Sequence, residues 1–242
     1  MEQSIRYGEE VIRYHLRHRA LRKSARIAIH VEPDGRVVVD APEGAQADHV
    51  KTAVRARARW IHNHVAAIHH RQAGILPREY VSGESLLYLG RRYRLKVIVD
   101  VKTAAAAHLR GGFIEVRVPR RQRNLVRDTL LTWVRERSRK VLVERLVEVA
   151  SGLRWVQELP QVRFQVMKTQ WGSCSPVGTL TLNPYLVRAP RECIDYVLLH
   201  ELSHLKEHNH SPRFFRLLDA HMPQWKRVKD RLDDLAELIL NI

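Results

Sequence analysis

The sequence predicts an α+β protein that is β-rich over residues 1–119, with one helix there, and mainly helical over residues 120–242. In the first region, short runs alternate apolar and polar residues, which is typical of half-buried strands. In the second region, apolar residues recur every three or four positions over long stretches, as they do on the buried face of a helix. The third observation is an HExxH motif inside one of these helical patterns.

The β-rich region begins with short strands. Apolar residues alternate at positions 27–29 and 37–39 on either side of Pro33, Asp34 and Gly35, which predicts a hairpin. Residues 45–71 carry apolar side chains at helical spacing and predict a single helix. Its histidines have no accompanying ligands, so we expect them at the surface. They are His62, His64, His69 and His70.

Three further strands are predicted over residues 86–89, 93–99 and 113–118, with glycines at the turns between them. A long helix follows over residues 121–149, and we expect it to pack behind the helix that carries the HExxH motif. Residues 162–166 and 180–182 alternate around a Gly-, Ser- and Pro-rich segment, which predicts two strands joined by a turn.

The C-terminal helices have recognisable starts. Pro190 suits the first turn of the motif-bearing helix, and Asn209 tolerates the left-handed conformation that ends a helix. Ser211 and Pro212 look like the N-cap and first residue of the next helix. A terminal helix is predicted after Pro223.

The motif His200-Glu201-Leu202-Ser203-His204 is a zinc-hydrolase signature. Residues four apart on an α-helix lie one above the other, so the imidazoles of His200 and His204 can close on one metal ion with Glu201 beside them. Apolar residues around the motif recur at helical spacing, which predicts a buried and therefore rigid helix. A surface helix that happens to carry two histidines is the alternative.

A third ligand is expected nearby, because a catalytic zinc site has three protein ligands and leaves the fourth position for water. If the helix continued, His208 would lie about 12 Å along its axis from His200. One ion cannot bridge that gap, since Zn–N bonds are only about 2 Å long. His210 follows the predicted helix end, so the chain can turn back and present its imidazole. We therefore predict His210 as the third ligand and His208 as a solvated residue.

Three segments together carry a resemblance to a known family. WGSCS at 171–175, LNP at 182–184 and YVLLHELSHLKEHNHSPRFF at 196–215 resemble the YgjP-like family of zinc metallopeptidases, a branch of the zincins with the pattern HExxH-x5-H. The resemblance implies a zincin-like catalytic region over residues 120–242, with Zn²⁺ as cofactor. It implies the metal ligands His200, His204 and His210, and Glu201 as the catalytic base.

The implied activity is hydrolysis of peptide bonds in a polypeptide substrate by metal-activated water, with Glu201 as general base. Zincin resemblance further predicts that residues 168–174 form an edge strand that pairs with an extended substrate. Gln170, Trp171 and Gly172 are the predicted substrate-binding residues, although Trp171 would also suit an anchor for the turn. Cys174 would either ligate and mask the metal or serve as a small turn residue.

Other functions remain open at this stage. A closed structural zinc site is one alternative, and metal-dependent hydrolysis of a nucleotide phosphoanhydride is another, although GESLLYLG and HLRGGF lack Walker spacing. A non-catalytic, nucleic-acid-associated protein is the third. The net charge of +16 is concentrated in residues 81–160, which hold 17 Lys and Arg against 8 Asp and Glu. Nucleic acid or another polyanion would suit that basic surface, whereas a solvated helix face is the alternative. The clustered arginines are Arg117, Arg120, Arg121, Arg123 and Arg127.

The cellular location is predicted to be cytoplasmic. The N-terminus is polar and charged, and no apolar run is long enough to span a bilayer, so no membrane partner is expected. Cys174 and Cys193 give no disulfide framework and fit a reducing compartment.

Overall fold

The computed structural model describes residues 2–8, 10–19, 27–31, 35–73, 77–167 and 170–241. Its contacts divide the chain into two compact units, Met1–Leu76 and Pro77–Ile242. Both units combine helices and strands, so the α+β prediction is confirmed. Among the described helices, none has the length and apolar character that a membrane span requires.

The first unit is a four-stranded sheet with two helices. Two apolar layers meet in its core, which includes Tyr14 and Val39 from strands and Val50 and Ile61 from helices. The sheet order is β1-β2-β4-β3, and β3 pairs with β4 antiparallel as the predicted hairpin. Pro33 and Asp34 of its turn lie outside the described residues. The elements are β1 (Glu2–Tyr7), β2 (Glu10–Arg19), β3 (Ala28–Val31), β4 (Val37–Pro42), α1 (Ala47–Ala56) and α2 (Ala58–Ala73).

The single helix predicted over residues 45–71 is wrong, because the chain forms α1 and α2 with a break at Arg57. The backbone of Arg57 leaves the helical conformation, with φ −112° and ψ 9°. Val54 before the break and Ile61 after it are both fully buried. The break thus lets two short helices each turn an apolar face to the same core, and periodicity alone does not reveal such a change of direction.

The second unit contains a four-stranded sheet in the order β5-β6-β8-β7. The three strands predicted here are confirmed, but the sequence reasoning missed β7. Its residues His108, Leu109 and Arg110 are exposed, so this edge strand carries too weak an alternation to be recognised. The elements are β5 (Ser85–Tyr88), β6 (Arg91–Val99), β7 (Ala106–Arg110), β8 (Phe113–Val118) and the long helix α3 (Arg123–Ser151), which packs on β7 and β8.

A second, three-stranded sheet has the order β10-β11-β9. Its strands are β9 (Val162–Phe164), β10 (Gly172–Cys174) and β11 (Leu180–Leu182). The prediction that residues 162–166 and 180–182 are joined by a simple turn is wrong, because β9 pairs with β11 in parallel and β10 forms the antiparallel hairpin with β11. A parallel pair needs a crossover, and the chain between β9 and β11 returns through β10.

The C-terminal helices surround this sheet. A 3-10 helix at Pro184–Arg188 precedes α4 (Arg191–Ser203), α5 (Pro212–His221) and α6 (Trp225–Leu240). As predicted, α3 packs against α4, and the Ser211 side chain caps α5 by accepting the amide of Phe214. The predicted end of α4 at Asn209 is wrong, because the helix ends at Ser203. Trp155 donates its indole N–H to the Leu202 carbonyl at 3.1 Å and so satisfies one of the terminal carbonyls.

The boundary between the two compact units lies earlier in the chain than the predicted boundary at residues 119 and 120. The reason is that β7 and β8 pack on α3 and share its hydrophobic core. The division into a β-rich N-terminal region, residues 1–119, and a zincin-like catalytic region, residues 120–242, stays a prediction.

Candidate metal centre

The HExxH motif lies at the C-terminal end of α4, one of the most buried helices of the second unit, with His200 in the last turn and His204 at the C-cap. Its residues Leu198 and Leu202 are fully buried, because apolar side chains continue around most of the helix surface. A helix that is apolar on nearly all sides must lie inside a protein. Glu201 is itself only 6% exposed, although it is an acidic residue. The sequence thereby places a rigid, buried platform beneath two histidines.

Three imidazoles converge at the end of this platform. The Nε2 atom of His210 lies 3.1 Å from Nε2 of His200 and 3.2 Å from Nε2 of His204. Three nitrogens bound tetrahedrally to one zinc ion would be about 3.3 Å apart, given Zn–N bonds of 2.0–2.1 Å. Without a cation, at most one proton could lie between any two of these nitrogens, and the third lone pair would be unsatisfied. The donor set and its spacing therefore fit a zinc ion.

The rings are oriented by neighbouring groups. The Nδ1 atom of His204 lies 3.1 Å from the Glu207 carbonyl oxygen, to which it can donate when Nε2 is the free acceptor. Nδ1 of His200 is buried, which leaves Nε2 as the nitrogen on the cluster side. Phe214 supports all three rings, with centroid distances of 4.9, 4.6 and 4.8 Å to His200, His204 and His210.

His210 reaches the cluster from outside the helix, as the sequence predicts. It lies in the segment between α4 and α5, directly before the Ser211 cap. His208 is exposed and is not part of the converging group. Within the part of the chain that the structure describes, no other three His, Cys, Asp or Glu side chains converge in this way.

Burial strongly changes the protonation of the centre. It lowers the pKa of His200 to about 3, and the charges of His210 and His204 act in the same direction. The pKa values of His204 and His210 are also lowered, mainly by desolvation. Neutral imidazole is the form that binds a metal. Burial raises the pKa of Glu201 to about 8, whereas a cation held by the histidines would favour its carboxylate form.

Gly172 lies directly against Glu201. A Cβ atom at this glycine would be 2.8 Å from Cγ and 2.9 Å from Oε1 of Glu201, which is closer than real Cβ contacts come. The edge strand β10 and the buried carboxylate can therefore pack together only because residue 172 has no side chain. Sequence reasoning named Gly172 as a substrate-binding residue but gave no signal of this contact.

The predicted edge strand is present in part. Gly172–Cys174 forms β10 at the edge of its sheet, whereas Gln170 and Trp171 precede the strand and residues 168–169 lie outside the described range. Gln170 is exposed, and Trp171 is half-buried against the hydrophobic core. Predictions of their contact with substrate stay predictions.

Asn183 organises the segment that leads into this edge. It is fully buried, and its Nδ2 donates to the carbonyls of Met167 at 2.7 Å and Gln170 at 3.3 Å. Its backbone amide donates to the Trp171 carbonyl at 2.9 Å. Sequence reasoning assigned Asn183 no role, and the available signal was an Asn-Pro pair that caps the 3-10 helix.

Cys174 does not belong to the converging group of donor atoms. Burial raises the pKa of its thiol, and the charge of Glu201 acts in the same direction. Because the thiol lies outside that group, the interpretation of Cys174 as a small residue beside the site fits better than a masking ligand.

The motifs behind the alternative functions lie in other environments. The glycines of GESLLYLG and HLRGGF include Gly90 and Gly112, which have positive φ angles and occupy turns between strands. Neither turn leads into a helix N-terminus, where a phosphate loop would need to be. In the basic cluster, Arg127 pairs with Asp128 and Arg123 donates to the Arg78 carbonyl.

Comparison with known proteins identifies a family of metallopeptidase domains. A family model described as YgjP-like, metallopeptidase domain, matches residues 25–235. Among solved structures, the metallopeptidase zymogen of Pyrococcus abyssi abylysin is 29% identical, with a TM-score of 0.34 over 41% of this chain and 93% of that one. The metallopeptidase zymogen of Methanocaldococcus jannaschii jannalysin is 26% identical, with a TM-score of 0.34 over 38% and 92% of the two chains. No curated protein matches the chain.

Proposed function

The chain belongs to the YgjP-like family of metallopeptidase domains, and on that premise we propose that it is a zinc-dependent peptidase that uses Glu201 as general base. His200, His204 and His210 would hold the ion. The observation that carries this proposal is the convergence of three Nε2 atoms within hydrogen-bond distance next to a buried glutamate. Three histidine ligands leave one coordination position for water, which is the arrangement of a catalytic site rather than a closed structural one.

A zinc ion supplies a Lewis acid that makes water nucleophilic near neutral pH and polarises a carbonyl group. Glu201 follows His200 on the same helix, so its carboxylate can accept a proton from the attacking water and pass it to the leaving amine nitrogen. Phe214 packs against the three imidazoles, and the buried surroundings of Glu201 hold its carboxylate in place.

The β10 edge is the proposed platform for the polypeptide substrate. This strand pairs with β11 on one side, and it is the outermost strand of its sheet. Backbone hydrogen bonds at such an edge give a substrate its register without demanding particular side chains. Because Gly172 in this strand touches Glu201, a chain bound along β10 would pass close to the general base.

The experiment compares hydrolysis of an unfolded, dye-labelled casein with hydrolysis of nucleoside triphosphates, each with and without a chelator. We expect chelator-sensitive cleavage of casein and no turnover of the nucleotides. Glu201→Gln should retain zinc and lose casein turnover, because an amide cannot accept the proton while the histidines are unchanged. Loss of zinc from this variant would make Glu201 a ligand or an orienting residue. Near-wild-type turnover would contradict its role as base.

A further inference from the structure

A basic groove lies at the N-terminal end of α4, the end opposite to the histidines. Its volume is about 750 Å³, which is large enough for several residues of a bound chain. Only one of the charged residues that line the groove is acidic and the others are arginines, so the formal charge of the groove is strongly positive. The charged lining residues are Arg91, Arg137, Arg191, Arg231 and Glu192.

Arg137 and Tyr88 form a fixed pair of hydrogen-bond donors in this groove. The phenol oxygen of Tyr88 accepts Nε of Arg137 at 2.9 Å and Nη2 at 2.7 Å. Tyr88 is only 2% exposed, and within the described residues its own O–H has no acceptor. A ligand that brings oxygen acceptors into the groove would accept this O–H and would also meet the remaining N–H groups of Arg137.

Two arginines of the groove are free to bind a ligand. Arg91 and Arg191 are exposed, and neither makes an ion pair or hydrogen bond to the described part of the protein through its side chain. Arg231, in contrast, pairs with Glu192. Guanidinium groups bind carboxylates and phosphates through parallel N–H donors. The groove therefore selects an oxyanion.

The wall of the groove is rigid. The turn between β5 and β6 holds Leu89 at φ 50° and Gly90 at φ 74°, and a non-glycine residue rarely adopts the first of these values. The Leu89 amide donates to the Val187 carbonyl at 2.9 Å, and the Gly90 amide donates to the Arg188 carbonyl at 3.1 Å. Gly90 also lies so close to Pro190 that a Cβ would be 2.8 Å from its Cα. This turn is thus fixed against the start of α4.

Nucleic acid and an acidic polypeptide are both polyanions that would suit the charge of the groove. The uncharged residues that line the groove favour one of them. Single-stranded nucleic acid binds through exposed aromatic faces on which bases stack. The Tyr88 ring is buried against Trp133 and Tyr93, with centroid distances of 5.2 and 6.1 Å, so its face is not available. The other uncharged lining residues are the aliphatic Leu89, Leu109 and Pro190 and the half-buried Tyr93. This mainly aliphatic lining suits the apolar side chains of a peptide better than a series of stacked bases.

We propose that this groove is a second binding site for the polypeptide substrate, and that it takes a segment rich in Asp and Glu. The inference deepens the proposed peptidase function and rests on it, because the bound polypeptide is a substrate only if the protein is a peptidase. Arg191 begins α4 and His200 lies nine residues later, which corresponds to about 14 Å along the helix axis. Because α4 is buried, a substrate must pass around it, so an extended chain needs at least about four residues to cover that distance. Acidic residues about four or more positions from the scissile bond would therefore be favoured.

The test is a binding measurement that does not depend on turnover. The zinc-loaded full chain is titrated into a fluorescein-labelled glutamate-rich peptide, its glutamine counterpart and a single-stranded oligonucleotide of equal charge, and anisotropy is recorded at low and high salt. Mass spectrometry verifies that the peptides stay intact. We expect the glutamate peptide to bind at least roughly tenfold more tightly than the glutamine peptide at low salt, with the difference reduced at high salt.

A double charge reversal, Arg91→Glu with Arg191→Glu, should weaken binding of the glutamate peptide roughly tenfold or more. The matched control, Arg92→Glu with Arg139→Glu, changes the same charge at exposed positions outside the groove and should have a much smaller effect. Circular dichroism verifies that both variants are folded.

Three results would overturn the proposal: equal binding of the two peptides, equal effects of the two double variants, or tighter Arg91- and Arg191-dependent binding of the oligonucleotide. The last result would identify a nucleic-acid site. Selective peptide binding by a protein that cleaves no casein would uphold the groove as a site for acidic polypeptide and would contradict the peptidase function instead. Casein cleavage without selective binding of the glutamate peptide would uphold the peptidase function and would contradict the groove as a site for acidic polypeptide.

Discussion

The contact between Gly172 and Glu201 permits a sharp test of the site. In Gly172→Ala, the new methyl group would lie 2.8 Å from Cγ of Glu201, whereas ordinary van der Waals contact begins at 3.4 Å. The difference, 3.4 − 2.8 = 0.6 Å, is the displacement that either the carboxylate or the strand must absorb. Gly172 does not need a positive φ angle, so alanine is compatible with its backbone.

The expected effect follows from this displacement. Glu201 is 6% exposed in a packed region, so a shift of its carboxylate changes the distance between this base and the histidines. A misplacement of 1 Å at a reacting group can cost about 10²-fold in rate. A shift of about 0.6 Å should therefore lower kcat/KM by roughly 10- to 100-fold, which corresponds to about 1.4–2.7 kcal/mol of transition-state stabilisation.

The assay is cleavage of dye-labelled casein, with zinc content and thermal unfolding measured on the same preparation. Zinc should stay stoichiometric, because the three histidines are unchanged. Ser173→Ala is the matched control, since neighbouring residues in a strand point to opposite faces. It should retain wild-type kcat/KM.

The reasoning would be refuted by a folded, zinc-loaded Gly172→Ala protein that cleaves casein at the wild-type rate. In that case the position of the Glu201 carboxylate would not matter to catalysis. Loss of zinc would point to a displaced β10 that disturbs the whole centre, which would also contradict the expected local effect.

Three further predictions concern the support of the site. His210→Ala should lose tightly held zinc, as measured by metal analysis after dialysis, and stoichiometric zinc in this variant would exclude His210 as a ligand. Phe214→Leu should lower zinc affinity about 10- to 100-fold in a chelator competition, because the ring packs on all three imidazoles. The control is Phe215→Leu, because the centroid of the Phe215 ring lies 6.2 Å from that of His210. Equal losses of zinc affinity in the two variants would refute a specific role of Phe214. Asp195→Asn breaks a bidentate pair with Arg145 that joins α4 to α3, and should lower the free energy of unfolding in urea by about 1–2 kcal/mol with zinc retained. An unchanged unfolding midpoint would show that the pair contributes little.

The sequence alone determined the features that depend on local spacing. The placement of His200 in the last turn of α4 and of His204 at its C-cap, about one turn later, follows from their separation of four residues, and the cap at Ser211 follows from local hydrogen bonding. The long helix α3 was predictable because one periodic pattern extends over its whole length. The convergence of His210 with the other two histidines was predicted, but the prediction assumed that α4 ends at Asn209 rather than at Ser203.

Features that depend on contacts between distant segments required the tertiary structure. The end of α4 coincides with a hydrogen bond from Trp155 to the carbonyl of Leu202, which is 47 residues away in sequence. Gly172 meets Glu201 because the small sheet folds onto α4, and Asn183 binds the carbonyls that lead into β10 because β10 pairs with β11. Periodicity reports which face of an element is buried but not which distant group that face will meet. Local spacing therefore decided which side chains could bind a metal, and packing decided how their neighbours hold them.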